Sequence, residues 1–342
     1  MPTTTRRTAA RLALGLLATA GLLGSGQALA ADPVRVGILP LTSHAPSIIA
    51  AGRGYFAEAD IELSFVPFQA AQPMAVAIAS GDVDFGITAI TGGLISLAER
   101  GAVKVIGGAL QETEGVEGQK ILASRAAYDA GVTTPKDLEG RRFGITQAGS
   151  SFHYMAHKIA DQEGFPRDSL ELVPLNAVPT VIASLRTGQI DAWSIVPNIA
   201  SGLVASGDVV ELGRIGDYIP NYQVTTIFTA AAIVEENPNL VERFLEAFSR
   251  GVDDYNAALV DKTMPEAEIA ELVAMIHEHI YTDRPIEAAD PAIRAKAMRI
   301  NANGRLNLES VADQLEWFKS EGLVPGTATI ETLVDTSFVE TD

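Results

Sequence analysis

No cysteine occurs anywhere in the 342 residues. Disulfides are therefore excluded, as is lipid anchoring through a lipobox cysteine, and stability has to come from burial. Basic charge is scarce as well: 25 Lys and Arg stand against 43 Asp and Glu, a formal net charge of −18. Nucleic acids and anionic membranes select basic surfaces, so neither is expected as a partner. That balance does not fix the charge of a small ligand, because the local field of a pocket can differ from the net. Beyond residue 30 no run is long and apolar enough to cross a bilayer. Catalytic motifs are missing too: there is no Gly-x-Ser-x-Gly elbow and no His-Glu-x-x-His. His277 and His279 lie two apart on an expected helix and so do not share a face, which argues against a metal site there.

What is present begins with a leader. Arg6, Arg7 and Arg11 form a basic head, residues 12–23 an apolar run too short to anchor, and Ala28-Leu29-Ala30 a small-residue cleavage site. Residues 1–30 thus read as a cleaved secretory signal peptide, with Arg6-Arg7 a weak hint of the twin-arginine route. Three arginines and no acid leave with it, which takes the formal charge from −18 to −21. The remaining 312 residues are enough for two domains. With no cysteine to lipidate, the product is expected free in the bacterial periplasm.

One stretch occurs twice. Gly81-Asp82-Val83-Asp84 and Gly188-Gln189-Ile190-Asp191 each follow a short helical pattern and precede an apolar strand, and the two copies lie 107 residues apart. About twenty residues later each copy runs through glycine into another strand, at Gly101-Ala102-Val103 and at Gly207-Asp208-Val209. Strands alternating with helices favour parallel-rich sheets built from βαβ units, so the expectation is an α/β protein of two similar lobes. Strands are read at 34–39, 61–67, 83–88, 103–109, 121–124, 142–146, 170–175, 209–213 and 222–230, with a crossover at 111–120. From Pro238 onward the chain reads as helices, with Leu240, Val241, Phe244, Leu245 and Phe248 at helical spacing. These are expected to pack on the outside of lobe one.

Several of these stretches together resemble the substrate-binding proteins of ABC importers in the family of nitrate, taurine, alkanesulfonate and thiamine-pyrimidine-precursor binders (NMT1/THI5-like). The resemblance is carried by residues 51–63 (Ala51-Gly52-Arg53-Gly54-Tyr55-Phe56 onward), both repeat copies, 134–145, Glu236-Asn237-Pro238-Asn239-Leu240-Val241, and 314–324. It implies a two-lobed periplasmic-binding-protein fold of type II, two parallel-rich sheets with flanking helices and a ligand cleft between lobes. Lobe one would comprise 33–118 and 226–342, and lobe two 119–225. The implied function is capture of a small ligand by lobe closure and delivery to an ABC permease and its ATPase, by a monomer without cofactor or catalysis. Related pyrimidine-synthase enzymes use a cysteine-rich segment and a cofactor lysine, and this chain has no cysteine. Sulfonate-type members commonly carry an acidic residue before a proline that 86–91 and 193–198 lack.

In open α/β sheets ligands bind beyond the carboxyl ends of the strands. The loops there supply the candidate contacts: Thr42, Ser43 and His44, Thr88 and Ala89, Gly149, Ser150 and Ser151. His153 lies one turn into the following helix. Trp193, Ser194 and Asn198 follow the second repeat, and Tyr222 lies near the return crossover. Against these stand plainer roles, the hydroxyls as helix caps and Trp193 as core. Asp84 and Asp191 fit turn and strand-entry hydrogen bonding better than acid–base work. Since Thr42–His44, Thr88-Ala89 and Gly149–Ser151 contain no Lys or Arg, a sulfonate or carboxylate held by N–H and hydroxyl groups is expected. A neutral heterocycle such as a thiamine pyrimidine precursor is the alternative. A periplasmic sensor for a receptor kinase is the alternative of another class.

Overall fold

Among the described residues, short runs of apolar residues bounded by glycine, proline or small polar residues form ten strands. They are β1 (Asp32–Ile38), β2 (Ile61–Pro67), β3 (Phe85–Thr88), β4 (Val103–Gly108), β5 (Lys120–Ser124), β6 (Arg142–Ile145), β7 (Glu171–Pro174), β8 (Ala192–Ile195), β9 (Val209–Arg214) and β10 (Thr226–Ala230). The computed structural model describes residues 31–342, so the expected signal peptide lies outside the described residues. Every residue of β3, β5 and β8 is buried, as strands covered on both faces must be.

Two five-stranded sheets result, ordered β2-β1-β3-β10-β4 and β7-β6-β8-β5-β9. Their topologies are the same. The first strand of each, β1 or β6, pairs in parallel with the two strands that follow in its own unit. The remaining inner strand is antiparallel to both neighbours, and it is the strand the chain reaches just after crossing from the other sheet. The α/β class with two parallel-rich sheets and flanking helices is the class expected.

One polar device recurs in both sheets. Helices Ala71–Ala79 and Val178–Arg186 are each followed by a left-handed glycine, Gly81 (φ 78°) and Gly188 (φ 70°), which closes the helix at no steric cost. Three residues on, an aspartate turns back onto the first strand. Asp84 accepts from the Arg35 backbone N–H (2.7 Å), Nε (3.1 Å) and Nη2 (2.9 Å), while Nη2 also donates to the Gly81 carbonyl (2.7 Å). Asp191 accepts the same three bonds from Arg142 (2.8, 3.1 and 2.7 Å), and Arg142 Nη2 reaches the Gly188 carbonyl at 2.9 Å. Burial pushes the Asp191 carboxyl up, but the bonds from Arg142 outweigh it and hold the group below its ordinary range. Each staple fixes the entry of the third strand beside the first, pairing Val36 with Phe85 and Phe143 with Ala192.

Two expectations need correction. Residues 222–225 are not strand. Their backbone groups pair with the other crossover instead, Glu112 N–H donating to Tyr222 O and Val224 N–H to Leu110 O, so the strand begins only at Thr226. At the centre of that pairing is Gln223, fully buried, whose amide donates to Leu110 O (3.2 Å) and Thr225 O (2.9 Å) and accepts from Asn301 and Asn307. Nor do the C-terminal helices pack on one half alone. Tyr281 receives a bond from Asn198 (3.2 Å), and Asp313 binds Tyr154 and Lys158, so the tail spans both sheets.

Replacing Asp84 or Asp191 by alanine leaves a strand N–H and the arginine Nε without an acceptor, while Nη2 keeps the glycine carbonyl. Each change is expected to lower unfolding free energy by about 1–3 kcal/mol. The two losses should add, because the staples share no partner. Urea denaturation of both single variants and the double variant measures this, and unchanged midpoints would show that the staples are ornamental.

Candidate functional site

The carboxyl ends of the strands in the two sheets face one cavity, and its walls repeat the 107-residue period. Leu39 and Thr146 follow β1 and β6; Ser43 and Ser150, then His44 and Ser151, follow them in the loops. Ala71 and Val178 begin the two stapled helices, and Thr88-Ala89 faces Ile195-Val196 at the ends of β3 and β8. Each pair is separated by 107 positions. Leu41, Ala70, Gln119 and Phe152 complete the wall, with Leu110, Val224 and Thr225 from the crossovers. Among the described residues, no Asp, Glu, Lys or Arg lines it. The cavity volume is about 60 Å³. One water needs roughly 10–15 Å³ by that measure, so this is room for a small ligand only.

Polar groups in the wall are few, and their hydrogen bonds decide what they can offer. Ser150 precedes the 13-residue helix Ser151–Glu163 in extended conformation, the usual capping place, yet its side chain caps nothing. Its Oγ is buried without a partner. Among the described residues, the first N–H groups of that helix, on Ser151 and Phe152, find no acceptor either, as the geometry of a helix start requires. His44 is fully enclosed, and burial lowers its pKa to about 3, so it is neutral near pH 7. The Leu39 N–H points at its Nδ1 across a long 3.5 Å, which assigns the ring proton to Nε2. Thr42 and Ser43 cap nothing, so the capping role considered for them is not what the structure shows.

Of the residues expected from sequence, Ser43, His44, Thr88, Ala89, Ser150 and Ser151 line the cavity. The others lie elsewhere. Thr42 is buried beside it without lining it. Gly149, at φ 72°, is a support: its carbonyl accepts the Gly92 N–H (3.0 Å) and its N–H donates to His153 Nδ1 (3.1 Å). His153 faces away, against Trp317. Trp193 is core, fully buried and tilted against the back of Phe152. Ser194 is buried inside β8, Asn198 is bound to Tyr281, and Tyr222 is enclosed against Tyr154. The wall residues missed, Leu39, Thr146, Ala71, Val178, Ile195 and Val196 among them, were marked by the 107-residue offset. Applied strictly it sets Ile195 and Val196, not Ser194 and Asn198, opposite Thr88 and Ala89.

Behind the cavity, in the first crossover, Glu112 accepts the Gln119 N–H at 2.8 Å with only 2% of its surface exposed. Burial raises its pKa to about 7, against the pull of that bond and of Arg214.

Comparisons with known proteins agree with this geometry. A family model described as NMT1/THI5 like matches residues 41–258. No curated protein matches the chain. Among solved structures it is similar to the alkanesulfonate-binding protein SsuA from Xanthomonas axonopodis pv. citri bound to MOPS, at 16% identity over 90% of this chain and 99% of that one, TM-score 0.70. The periplasmic nitrate-binding protein NrtA from Synechocystis PCC 6803 is 12% identical over 88% and 84%, TM-score 0.68. The desulfurization enzyme DSZB is 16% identical over 90% and 97%, TM-score 0.58. At such identities the likeness shows the fold, that of the two-lobed periplasmic binding proteins.

Glu112 predicts a pH effect with a definite sign. Its folded pKa (about 7) lies above the ordinary 4.5, so the folded chain holds the proton longer. The stability this contributes is complete below pH 4.5 and is lost as pH rises through 7. Glu112→Gln keeps an acceptor for Gln119 and removes the titration. It should stabilise the protein by about 1–3 kcal/mol at pH 8 and little at pH 4.5. Urea melts at both pH values test this; equal effects at the two would refute the assignment.

Proposed function

This chain belongs to the NMT1/THI5-like family, and on that premise we propose that it is the solute-binding component of an ABC importer. Exported by its leader, it works in the periplasm as two lobes, 33–118 with 226–342 and 119–225. The lobes close on a small organic molecule bearing a sulfonate or carboxylate, and the closed form docks on a permease and its ATPase.

One observation carries the choice of ligand. An uncharged cavity contains, at the start of a 13-residue helix, a buried Ser150 hydroxyl with no partner and two N–H groups with none. Leaving a buried hydroxyl unpaired costs about 1–3 kcal/mol, which an acceptor oxygen of a ligand removes. The helix dipole adds attraction for negative charge at the same place. Neutral His44 offers Nε2–H from the other rim, and the alkyl part of the ligand would lie against Leu39, Leu41, Phe152 and Val178. Holding, rather than transforming, is what these groups can do: His44 activates no hydroxyl, and no carboxylate or amine reaches the wall.

Ligand-dependent thermal unfolding provides the test. Short alkanesulfonates or carboxylates at a hundred times their Kd should add about 2.7 kcal/mol to stability. Ser150→Ala should weaken them roughly tenfold, the cost of one hydrogen bond to a charged group. Stabilisation by aminopyrimidines alone would overturn the oxyanion reading.

A further inference from the structure

Three side chains outside the cavity remain unused by this reading: His153, His157 and Glu321. His153 and His157 stand one turn apart on the helix Ser151–Glu163, both buried, with their Nε2 atoms 3.1 Å apart. The Gly149 N–H occupies His153 Nδ1. An imidazole that accepts at Nδ1 and is neutral must carry its proton on Nε2. His153 Nε2–H therefore donates to His157 Nε2, and the proton of His157 sits on Nδ1. That atom faces Glu321 Oε2 at 3.4 Å, longer than a well-formed hydrogen bond, and has no other partner. Glu321 is held in turn by Arg167 (2.5 Å). Trp317 lies edge-on to both imidazoles (5.0 and 5.6 Å) and to Tyr154, which closes the pair off from water.

The same three residues have the chemistry of metal ligands, but their bonding argues otherwise. A cation between the Nε2 atoms would require the His153 proton on Nδ1, where the Gly149 N–H points. A directional relay fits; a metal centre does not.

We propose that His153 and His157 are positioning residues for the ligand loop. Their relay from Gly149 to Glu321 sets the Ser150–Ser151 rim, and a second proton on the pair, by placing N–H against N–H, loosens ligand binding. The inference rests on the reading that ligand binds at Ser150 and Ser151. Gly149 is pinned from both sides, by His153 at its N–H and by the Gly92 N–H at its carbonyl, so release of one side frees the loop that presents Ser150.

Several charged groups surround the pair. Glu321 and Asp161 favour protonation, and Arg167 opposes it. Asp313 bridges Tyr154 and Lys158 on the same helix. Burial prevails, lowering His153 to about 4 and His157 in the same direction. A group depressed in this way keeps its contribution above the ordinary pKa of 6.5 and loses it as pH falls toward 4.

The experiment combines calorimetry with ethanesulfonate, which stays ionised throughout, and ring-nitrogen NMR of the signal-free chain between pH 8 and 4.5. The spectra should show His153 protonated on Nε2 and His157 on Nδ1 at pH 7.5. Affinity should be flat above pH 6.5 and decline as pH falls toward 4, in step with the appearance of doubly protonated rings. His157→Leu should weaken ethanesulfonate about tenfold at pH 7.5 by leaving His153 Nε2–H unpaired. His157→Gln, which can accept from His153 and donate to Glu321, should recover most of that loss and flatten the acid limb. The opposite tautomers, or a His157→Leu variant with wild-type affinity and profile, would overturn the relay. If ethanesulfonate does not bind at all, the ligand-free spectra still decide. The Gly149 amide must then shift with the histidine transition in the wild type and not in His157→Gln. Failure of that shift refutes the relay, whereas failure of binding alone refutes only the sulfonate reading.

Discussion

Two guanidinium groups, Arg35 and Arg142, set the geometry on which the cleft depends. Each ties the glycine that ends a helix, and the aspartate after it, to the first strand of its own sheet. A strand entry fixed at one end fixes the other end as well, because a strand of four residues has no room to slip without turning its buried side chains outward. The carboxyl ends of β3 and β8 therefore arrive at matching positions, and Thr88-Ala89 meets Ile195-Val196 across the cavity. The staples also keep the charge of the repeat at the strand entries, far from the exits where a ligand would bind.

That separation has an energetic consequence. An anion placed in an apolar cavity must recover the hydration it loses, which is substantial for an isolated charge. A lysine or arginine would supply Coulomb attraction, but its own desolvation in the empty state would offset much of the gain. Hydroxyls, backbone N–H groups and a helix dipole are already oriented and bear no net charge to desolvate. Their cost is an unpaired Ser150 hydroxyl and the two unpaired N–H groups of Ser151 and Phe152. On the proposed reading the cleft would close on an ion in a chain whose formal charge is strongly negative.

Much of this was legible in the sequence, because the 107-residue period is a structural period. Gly81 with Gly188 and Asp84 with Asp191 revealed two equivalent units, and the apolar strands between glycines gave the α/β class. The same offset also links Arg35 with Arg142 and Ser43 with Ser150. Other features have no local signal. Trp193, a large residue on a strand and so more often core, could still stack on a ligand until β8 is known to be covered on both faces. Residues 222–225 have strand composition, but Gln223 draws them into a hydrogen-bond network with Leu110, Asn301 and Asn307, partners that only the tertiary fold brings together. The spacing of His153 and His157 was visible as one helical turn, and its meaning waited on Glu321, more than 150 residues away.

The distribution of polar contacts also indicates where the proposed closure would act. Between the halves, the polar side-chain contacts outside the cleft include Tyr154 and Lys158 with Asp313, Arg167 and His157 with Glu321, and Asn198 with Tyr281, most of them part-exposed, beside two backbone bonds, Gly92 N–H to Gly149 O and Val178 N–H to Gln69 O. Exposed ion pairs of this kind contribute about 0–1 kcal/mol each and break readily in water. At the crossovers the situation is reversed. Gln223, itself fully buried, donates twice, accepts twice at its side chain, and through its backbone meets Ser310 and Gln314, most of these bonds buried. Opening that network would strand several buried groups at once, each costing about 1–3 kcal/mol. Motion between the lobes should thus bend the crossover backbone on either side of Gln223 and separate the helix Ser151–Glu163 from Leu308–Ser320. That is the seam where the histidine relay lies, so the loop carrying Ser150 and the surface that must part on opening are joined by the same three side chains.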